Sequence, residues 1–281
     1  MVSRNLGFSP SPQAVSNRLP TSATLPPARV FLRAAALLAA LVLAAGCGDG
    51  IPQLEVEVLR VLPHDPGAYT QGLLLHEGRF FESTGTYGGS TLREVDPETG
   101  EVLRVRELPP ELFGEGLALV GDRLVQITWQ EGQALIWDLA TFELLETLRY
   151  EGSGWGLCYD GAYLFMTTGG SLLQRRDPTT FEVLERIPLS RAGEPLFQLN
   201  ELACVGEHIY GNIFQSDRIV RVDKRTGQVV AEIDASVLNP QSRRPMDDPE
   251  AVLNGIAWNP ERQTFFLTGK RWPTLFEVRF N

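Results

Sequence analysis

Five polar or aromatic residues stand at one repeated position along the chain: Gln71 before Gly72-Leu73, Glu115 before Gly116-Leu117, Trp155 before Gly156-Leu157, Asn200 before Glu201-Leu202 and Asn254 before Gly255-Ile256. A single carboxylate among neutral amides has a definite chemical use. It can take a proton from one atom and return it to another, while Gln71 and Asn200 offer donors and acceptors to a carboxamide or a tetrahedral oxyanion without adding charge. Lys270 joins them by rarity: it is one of two lysines in a chain that otherwise uses arginine, the other being Lys224 in an outer turn. A compact ammonium is not interchangeable with a planar guanidinium. Taken singly, Glu115 between two glycines is a solvated loop charge, and the amides are caps on strand ends. Asn254 is expected to stay structural. A chemical role therefore depends on whether the fold gathers these residues.

Each of the five opens a short apolar run, meets a turn such as Val120-Gly121-Asp122, and continues into a second run such as Leu124 to Thr128. The starts step by roughly 40 to 54 residues, the period of a four-stranded propeller blade. The sequence thus predicts an all-β fold, a five-bladed β-propeller of antiparallel blades over residues 54–281, with the five residues ringing one mouth of its channel. Outer hairpins are marked by Asp96-Pro97-Glu98-Thr99-Gly100 and its variants at Asp138, Asp177 and Asp223, in which proline presets one turn angle and glycine supplies positive φ. The last unit, Asn254 to Phe280, holds three strands. The alternating segment Leu54 to Leu62 has no hairpin partner nearby and can supply the fourth, closing the ring and removing its edges. Antiparallel pairing in that blade returns Lys270 to the face of Asn254, and Trp129 holds the matching place in blade two. Two long connections, 190–199 and 234–252, lead onto the same face, where binding is usually built.

Residues 1–46 do not read as fold. Arg29 and Arg33 precede an apolar run, Ala34 to Ala45, too short to span a bilayer, which ends Ala44-Ala45-Gly46-Cys47. This resembles a bacterial lipoprotein signal with Cys47 as the lipidated residue, followed by a tether over 47–53; an ordinary secretory signal and a retained anchor are the alternatives. The length of the leader suggests a start codon downstream of Met1. The whole chain carries a net charge of −10, and the leader holds four arginines and no acid, so the remainder is more acidic still. Nucleic acid is excluded as a partner on that balance. Beyond Cys47 there are Cys158 and Cys204. Aligned on their repeats they fall one residue out of phase, so with period two they face opposite sides of their sheets; two free buried thiols are expected rather than a disulfide.

PHDPGAYTQGL (63–73), ESTGTYGGSTLREVD (82–96), FGEGLAL (113–119), LNEL (199–202), VLNGIAW (252–258) and TGKRWPTLFEV (268–278) together closely resemble the plant and bacterial glutaminyl-peptide cyclotransferases, or glutaminyl cyclases. The resemblance runs from Leu54 to Phe280. It implies a five-bladed propeller that converts an N-terminal glutamine of peptides or proteins to pyroglutamate with release of ammonia, unrelated to the zinc-dependent animal enzymes and needing no cofactor. It carries over Glu115, Lys270, Gln71 and Asn200 as catalytic, and Tyr69, Phe113, Trp129 and Trp155 as substrate-binding. Tyr69 stands where the family usually has Phe. Phe214 belongs to the binding set too, in a segment that often ends in Trp; the aromatic wall is kept and an indole donor is lost. The implied molecule is an exported, periplasmic or cell-envelope monomer that meets the membrane only through its lipid anchor.

No other signature is present. His64, His76 and His208 lack metal-ligand spacing, His64-Asp65-Pro66 reads as a turn, and there is no phosphate loop or nucleophile elbow. Two rival readings stay open: a noncatalytic propeller acting as a binding platform, which needs no mixed Glu, Lys and amide ring, and a calcium-dependent propeller hydrolase, which needs several carboxylates at the axis where only Glu115 is acidic.

Overall fold

Apolar residues on both faces of a strand demand a neighbour on each side, and the innermost strands of this chain are apolar on both. A computed structural model describes residues 50–239 and 245–281; the leader and Cys47 lie outside the described residues. After β1 (Gln53–Leu54) and β2 (Val56–Pro63), blade one is β3 (Thr70–His76), β4 (Arg79–Thr84), β5 (Thr91–Val95) and β6 (Val102–Glu107). Blade two is β7 (Gly114–Val120), β8 (Arg123–Thr128), β9 (Gln133–Asp138) and β10 (Leu144–Arg149). Blade three is β11 (Leu157–Tyr159), β12 (Leu164–Met166), β13 (Leu172–Arg176) and β14 (Val183–Pro188). A small hairpin, β15 (Ser190–Arg191) and β16 (Glu194–Pro195), precedes blade four: β17 (Leu199–Val205), β18 (His208–Ile213), β19 (Arg218–Asp223) and β20 (Val229–Asp234). Blade five is β21 (Leu253–Asn259), β22 (Thr264–Gly269) and β23 (Thr274–Phe280), completed by β2 against β23.

Alternation along each strand sends successive residues into different seams. Leu117 packs between blades one and two, and the next residue, Ala118, between blades two and three. Each of the five seams between blades holds its own buried cluster, including the one between blades five and one, where Leu62, Ala257, Phe266 and Leu275 meet Leu73, Phe80 and Val95. The ring is therefore closed by packing as well as by the antiparallel ladder from Val56↔Phe280 to Pro63↔Thr274. Outer strands such as β10 are mostly exposed.

The hairpin turns follow the expected chemistry. Asp96 accepts from the N–H of Glu98 and Thr99, and Asp138, Asp177 and Asp223 repeat the arrangement. The fifth position is left-handed in all four, with Gly100 and Gly227 at φ 70 and 72 and Phe142 and Phe181 at φ 58 and 61. Both phenylalanines are buried, under the guanidinium groups of Arg104 and Arg176, so the apolar area they remove from water offsets a strained backbone.

Two expectations need correction. The tether is not free to its end: Gln53 and Leu54 pair in parallel with Glu232 and Ile233 of blade four, and the carbonyl of Pro52 accepts from Glu232 N–H at 2.9 Å. Cys158 and Cys204 form a disulfide, with Cα atoms 5.5 Å apart. The offset of one residue, which sets the two side chains on opposite faces within a single repeat, is what a bond between adjacent repeats requires. The cysteines lie in adjacent blades, and the side of blade three that meets blade four is the opposite of the side of blade four that meets blade three. Cys158 and Cys204 both face that shared seam, beside Phe165 and Leu202.

His64 is more than a turn. It is buried, with Nε2 3.0 Å from Glu82 Oε1 and Nδ1 2.6 Å from the carbonyl oxygen of Trp272, so it bridges blade one and blade five. Burial disfavours the imidazolium, but the Glu82 carboxylate outweighs it and the histidine pKa is raised; burial likewise disfavours the charged Glu82, whose pKa His64 nonetheless holds below the usual range.

Candidate active site

The ring position is made by a break in strand register. The ladders skip between Thr70 and Gly72, Gly114 and Leu117, Leu199 and Leu202, and Leu253 and Ile256. Gln71, Glu115, Asn200 and Asn254 sit inside these breaks, where the extra residue of a bulge re-aims its side chain. In blade three the same place falls just before β11: Trp155 N–H donates to Thr167 and the Gly156 carbonyl accepts from Thr167 N–H. A second tier lies around the ring, built from the residue before each first strand and the residue after each second strand. Trp129 N–H donates to the carbonyl of Phe113, Phe214 N–H to that of Gln198, and Lys270 N–H to that of Val252, each at 2.9 Å. Two glycines make room in this tier. A Cβ on Gly85 would lie 2.2 Å from the Phe113 ring, and one on Gly169 2.6 Å from the indole of Trp155.

The two tiers enclose a cavity of about 270 Å³, lined by Tyr69, Gln71, Phe113, Glu115, Trp129, Trp155, Asn200, Phe214, Glu250 and Lys270. All nine residues singled out by chemistry and resemblance line this one cavity. Gln71, Glu115, Asn200 and Lys270 form its buried floor, each between 3 and 5 % exposed. The aromatics are half-buried walls: Tyr69 against Phe113 at 6.3 Å between ring centroids, Phe113 against Trp129 at 5.6 Å, and Trp155 against Phe214 at 5.5 Å. Asn254 does not reach the cavity. Its Nδ2 donates to Gln71 Oε1 at 3.2 Å and to the Thr70 carbonyl at 2.9 Å, and Gln71 Nε2 in turn donates to Glu115 Oε1 at 3.0 Å. Asn254 thus fixes Gln71, and Gln71 fixes the carboxylate.

Burial pushes the Glu115 carboxyl well above the usual carboxylate range, with Lys270 pulling it back and Glu131 adding to the rise. Burial lowers the Lys270 ammonium while Glu115 and Glu250 hold it up. Its Nζ lies 4.6 Å from the ring centroid of Tyr69 and 4.8 Å from that of Phe214, so two aromatic faces replace part of its hydration. Asn200 Oδ1 is buried without a hydrogen-bond partner among the described residues. An orphaned acceptor beside a raised carboxylate is a place for a ligand that brings its own N–H groups.

Two residues of the site escaped the sequence reading. Glu250 lines the cavity from a long loop already marked as a binding segment, but nothing local distinguishes it from Asp247 or Asp248. Glu201 stands where the other four repeats have glycine, which is a readable signal. At Gly116 and Gly156 a Cβ would lie 2.5 Å and 1.9 Å from backbone atoms of the next blade. In blade four that gap is open, and Glu201, fully buried, reaches across the axis to accept from Leu73 N–H at 3.0 Å and Ile256 N–H at 2.7 Å. It ties the first strands of blades one, four and five below the floor. Burial raises its pKa well above normal despite both donors. At the other end of the same strands is a second cavity of about 230 Å³, lined by Leu74, Leu119, Tyr159, Cys204 and Trp258 among others.

The glutamine cyclotransferase family model matches residues 32–280. The chain belongs to that family. It is 38 % identical over 227 residues to the glutaminyl-peptide cyclotransferase of Arabidopsis thaliana, covering 80 % of this chain and 71 % of the plant protein. The crystal structure of Myxococcus xanthus glutaminyl cyclase superposes with a TM-score of 0.78 at 40 % identity, covering 83 % of this chain and 99 % of the other. Among the described residues no group of three or more His, Cys, Asp or Glu is placed to hold a metal ion.

Proposed function

We propose that this chain is a glutaminyl-peptide cyclotransferase acting on peptides or proteins with an N-terminal glutamine. The observation that carries it is a cavity with five aromatic wall residues whose floor holds one buried carboxylate, Glu115, and a buried amide acceptor, Asn200 Oδ1, that has no hydrogen-bond partner among the described residues. The α-amine nitrogen bonds to the side-chain amide carbon of the same residue, the bond from that carbon to the amide nitrogen breaks, and ammonia leaves. Folding the glutamine so that its two ends meet is the larger part of the task. Phe113, Trp129, Trp155 and Phe214 grip its methylene chain, and Asn200 Oδ1 accepts from its N–H groups. Glu115 takes the proton lost by the amine and returns it to the departing nitrogen. Burial raises its pKa above the ordinary carboxylate range, which suits it both to accept the proton and to give it back. Lys270 keeps a fraction of Glu115 ionised despite burial, and Gln71 holds one carboxylate oxygen in place.

Export to the cell envelope as a lipoprotein anchored at Cys47 is part of the same proposal. It is supported by the leader pattern and by the Cys158–Cys204 disulfide, a bond that persists in oxidising compartments; loss of membrane association in C47A, with label from a radioactive fatty acid lost too, checks it. The catalytic proposal is tested by mass spectrometry of a Gln-Ala-initiated peptide incubated with the purified protein. Loss of one ammonia, and no change in the matching Asn-initiated peptide, is expected. An unaltered Gln peptide would leave the noncatalytic binding platform as the better reading.

A further inference from the structure

Both reacting ends of a bound glutamine must lie at the floor, so the rest of the peptide leaves past the walls. Of the six wall residues, five are aromatic and one, Glu250, is charged. It is held in place. The hydroxyl of Tyr69 donates to Glu250 Oε2 at 2.7 Å, Glu250 N–H donates to Asp248 Oδ1 at 2.9 Å, and Asp248 is itself paired with Arg271. Among the described residues Glu250 makes no ion pair. Arg271 is engaged by Asp248, and Lys270, sunk in the floor, shares its field between Glu115 and Glu250. A carboxylate fixed in position at a half-buried wall, with one oxygen tied and no ion pair among the described residues, is placed to meet a charge arriving on the substrate.

We propose that Glu250 is a specificity-determining residue that reads the side chain after the N-terminal glutamine and favours a cationic one over an acidic one. The inference rests on the cyclotransferase reading above and names a substrate class within it. Long-range attraction by the acidic molecule acts on any cationic peptide, and it is nearly the same in a protein that lacks the one carboxylate. The comparison between the two proteins isolates Glu250.

The experiment measures kcat/KM for otherwise identical Gln-Lys-, Gln-Ala- and Gln-Glu-initiated peptides with wild type, E250Q and E250K, at low and high salt. E250Q keeps an acceptor for the Tyr69 hydroxyl and removes the charge. Wild type is expected to prefer Gln-Lys over Gln-Glu by about fivefold or more at low salt, the scale of one partly exposed charge interaction gained and one avoided, with the ratio shrinking as salt screens it. E250Q should bring the ratio to within about twofold of unity, and E250K should invert it. An equal ratio in wild type and E250Q, with Gln-Ala cyclised by both, overturns the inference and leaves the cyclotransferase reading standing. Failure of wild type on all three peptides overturns both. If E250K does not fold, the E250Q comparison decides alone.

Discussion

Glu115 and Lys270 titrate each other, and this gives the site a measurable signature. Burial raises the carboxyl and lowers the ammonium, while each group opposes the other's shift. The active form needs ionised Glu115, so activity should fall as pH drops through a value above the ordinary carboxylate range. Removing the positive neighbour raises that value further: K270M should move the acid limb of the kcat/KM profile to higher pH. Removing the negative neighbour does the reverse, and E131Q should move it to lower pH. The substrate amine contributes equally in every profile, so the displacement belongs to the enzyme. Three coincident acid limbs would show that neither neighbour faces Glu115. Much of this floor was legible because a local pattern, one residue before Gly-Leu, encodes a register break. Glu250 was not, because two residues distant in sequence decide where it lies: Tyr69, whose hydroxyl holds its carboxylate, and Arg271, which holds the neighbouring Asp248.

Between strands, the phase of the two cysteines has to be counted across neighbouring blades. Within one repeat an offset of one residue sends two side chains to opposite faces, whereas the disulfide joins two neighbouring repeats that present opposite faces to a common seam. The disulfide closes a loop with a sequence separation of 46 residues, for which constraint of the unfolded chain contributes up to about 4 kcal/mol. The C158A/C204A variant should unfold at lower denaturant concentration by a corresponding amount, and an unchanged midpoint would mean that the bond adds nothing. The closing strand was legible from its alternation and its lack of a partner, and its extra parallel bridge to blade four was not. Deleting 54–62 is expected to lower the melting temperature far more than deleting 48–53, since six residues of the deleted segment pair with β23 and only the end of the tether pairs with β20. The His64–Glu82 pair adds a pH window to the same closure. Its contribution should fade as pH falls through the depressed Glu82 value, and also as pH rises from the ordinary histidine value through the raised His64 one. H64Q should flatten both flanks of a stability-versus-pH curve.

Across the whole molecule, five near-equivalent blades set Gln71, Glu115, Trp155, Asn200 and Asn254 at one repeated position, four of them lining the cavity, and asymmetry among equivalent positions is what makes a site from a symmetric scaffold. Three glycines, Gly72, Gly116 and Gly156, let the inner strands touch, while one carboxylate, Glu201, spans from blade four to blades one and five beneath the floor. The repeat and the motif order were readable at this scale because each blade is a local unit. What was not readable is how far the axis is plugged, since that depends on contacts across the ring. The chemistry gathered at that point is carried by Glu115. The most direct test is the turnover of a Gln-Ala peptide by E115Q, which keeps the shape and the bond from Gln71 and removes the base, with folding checked by an unchanged circular dichroism spectrum. A fall in kcat of roughly 10²- to 10⁴-fold with little change in KM is expected. Turnover within a few-fold of wild type would contradict a proton-carrying role for Glu115 and, with it, the mechanism built on this cavity.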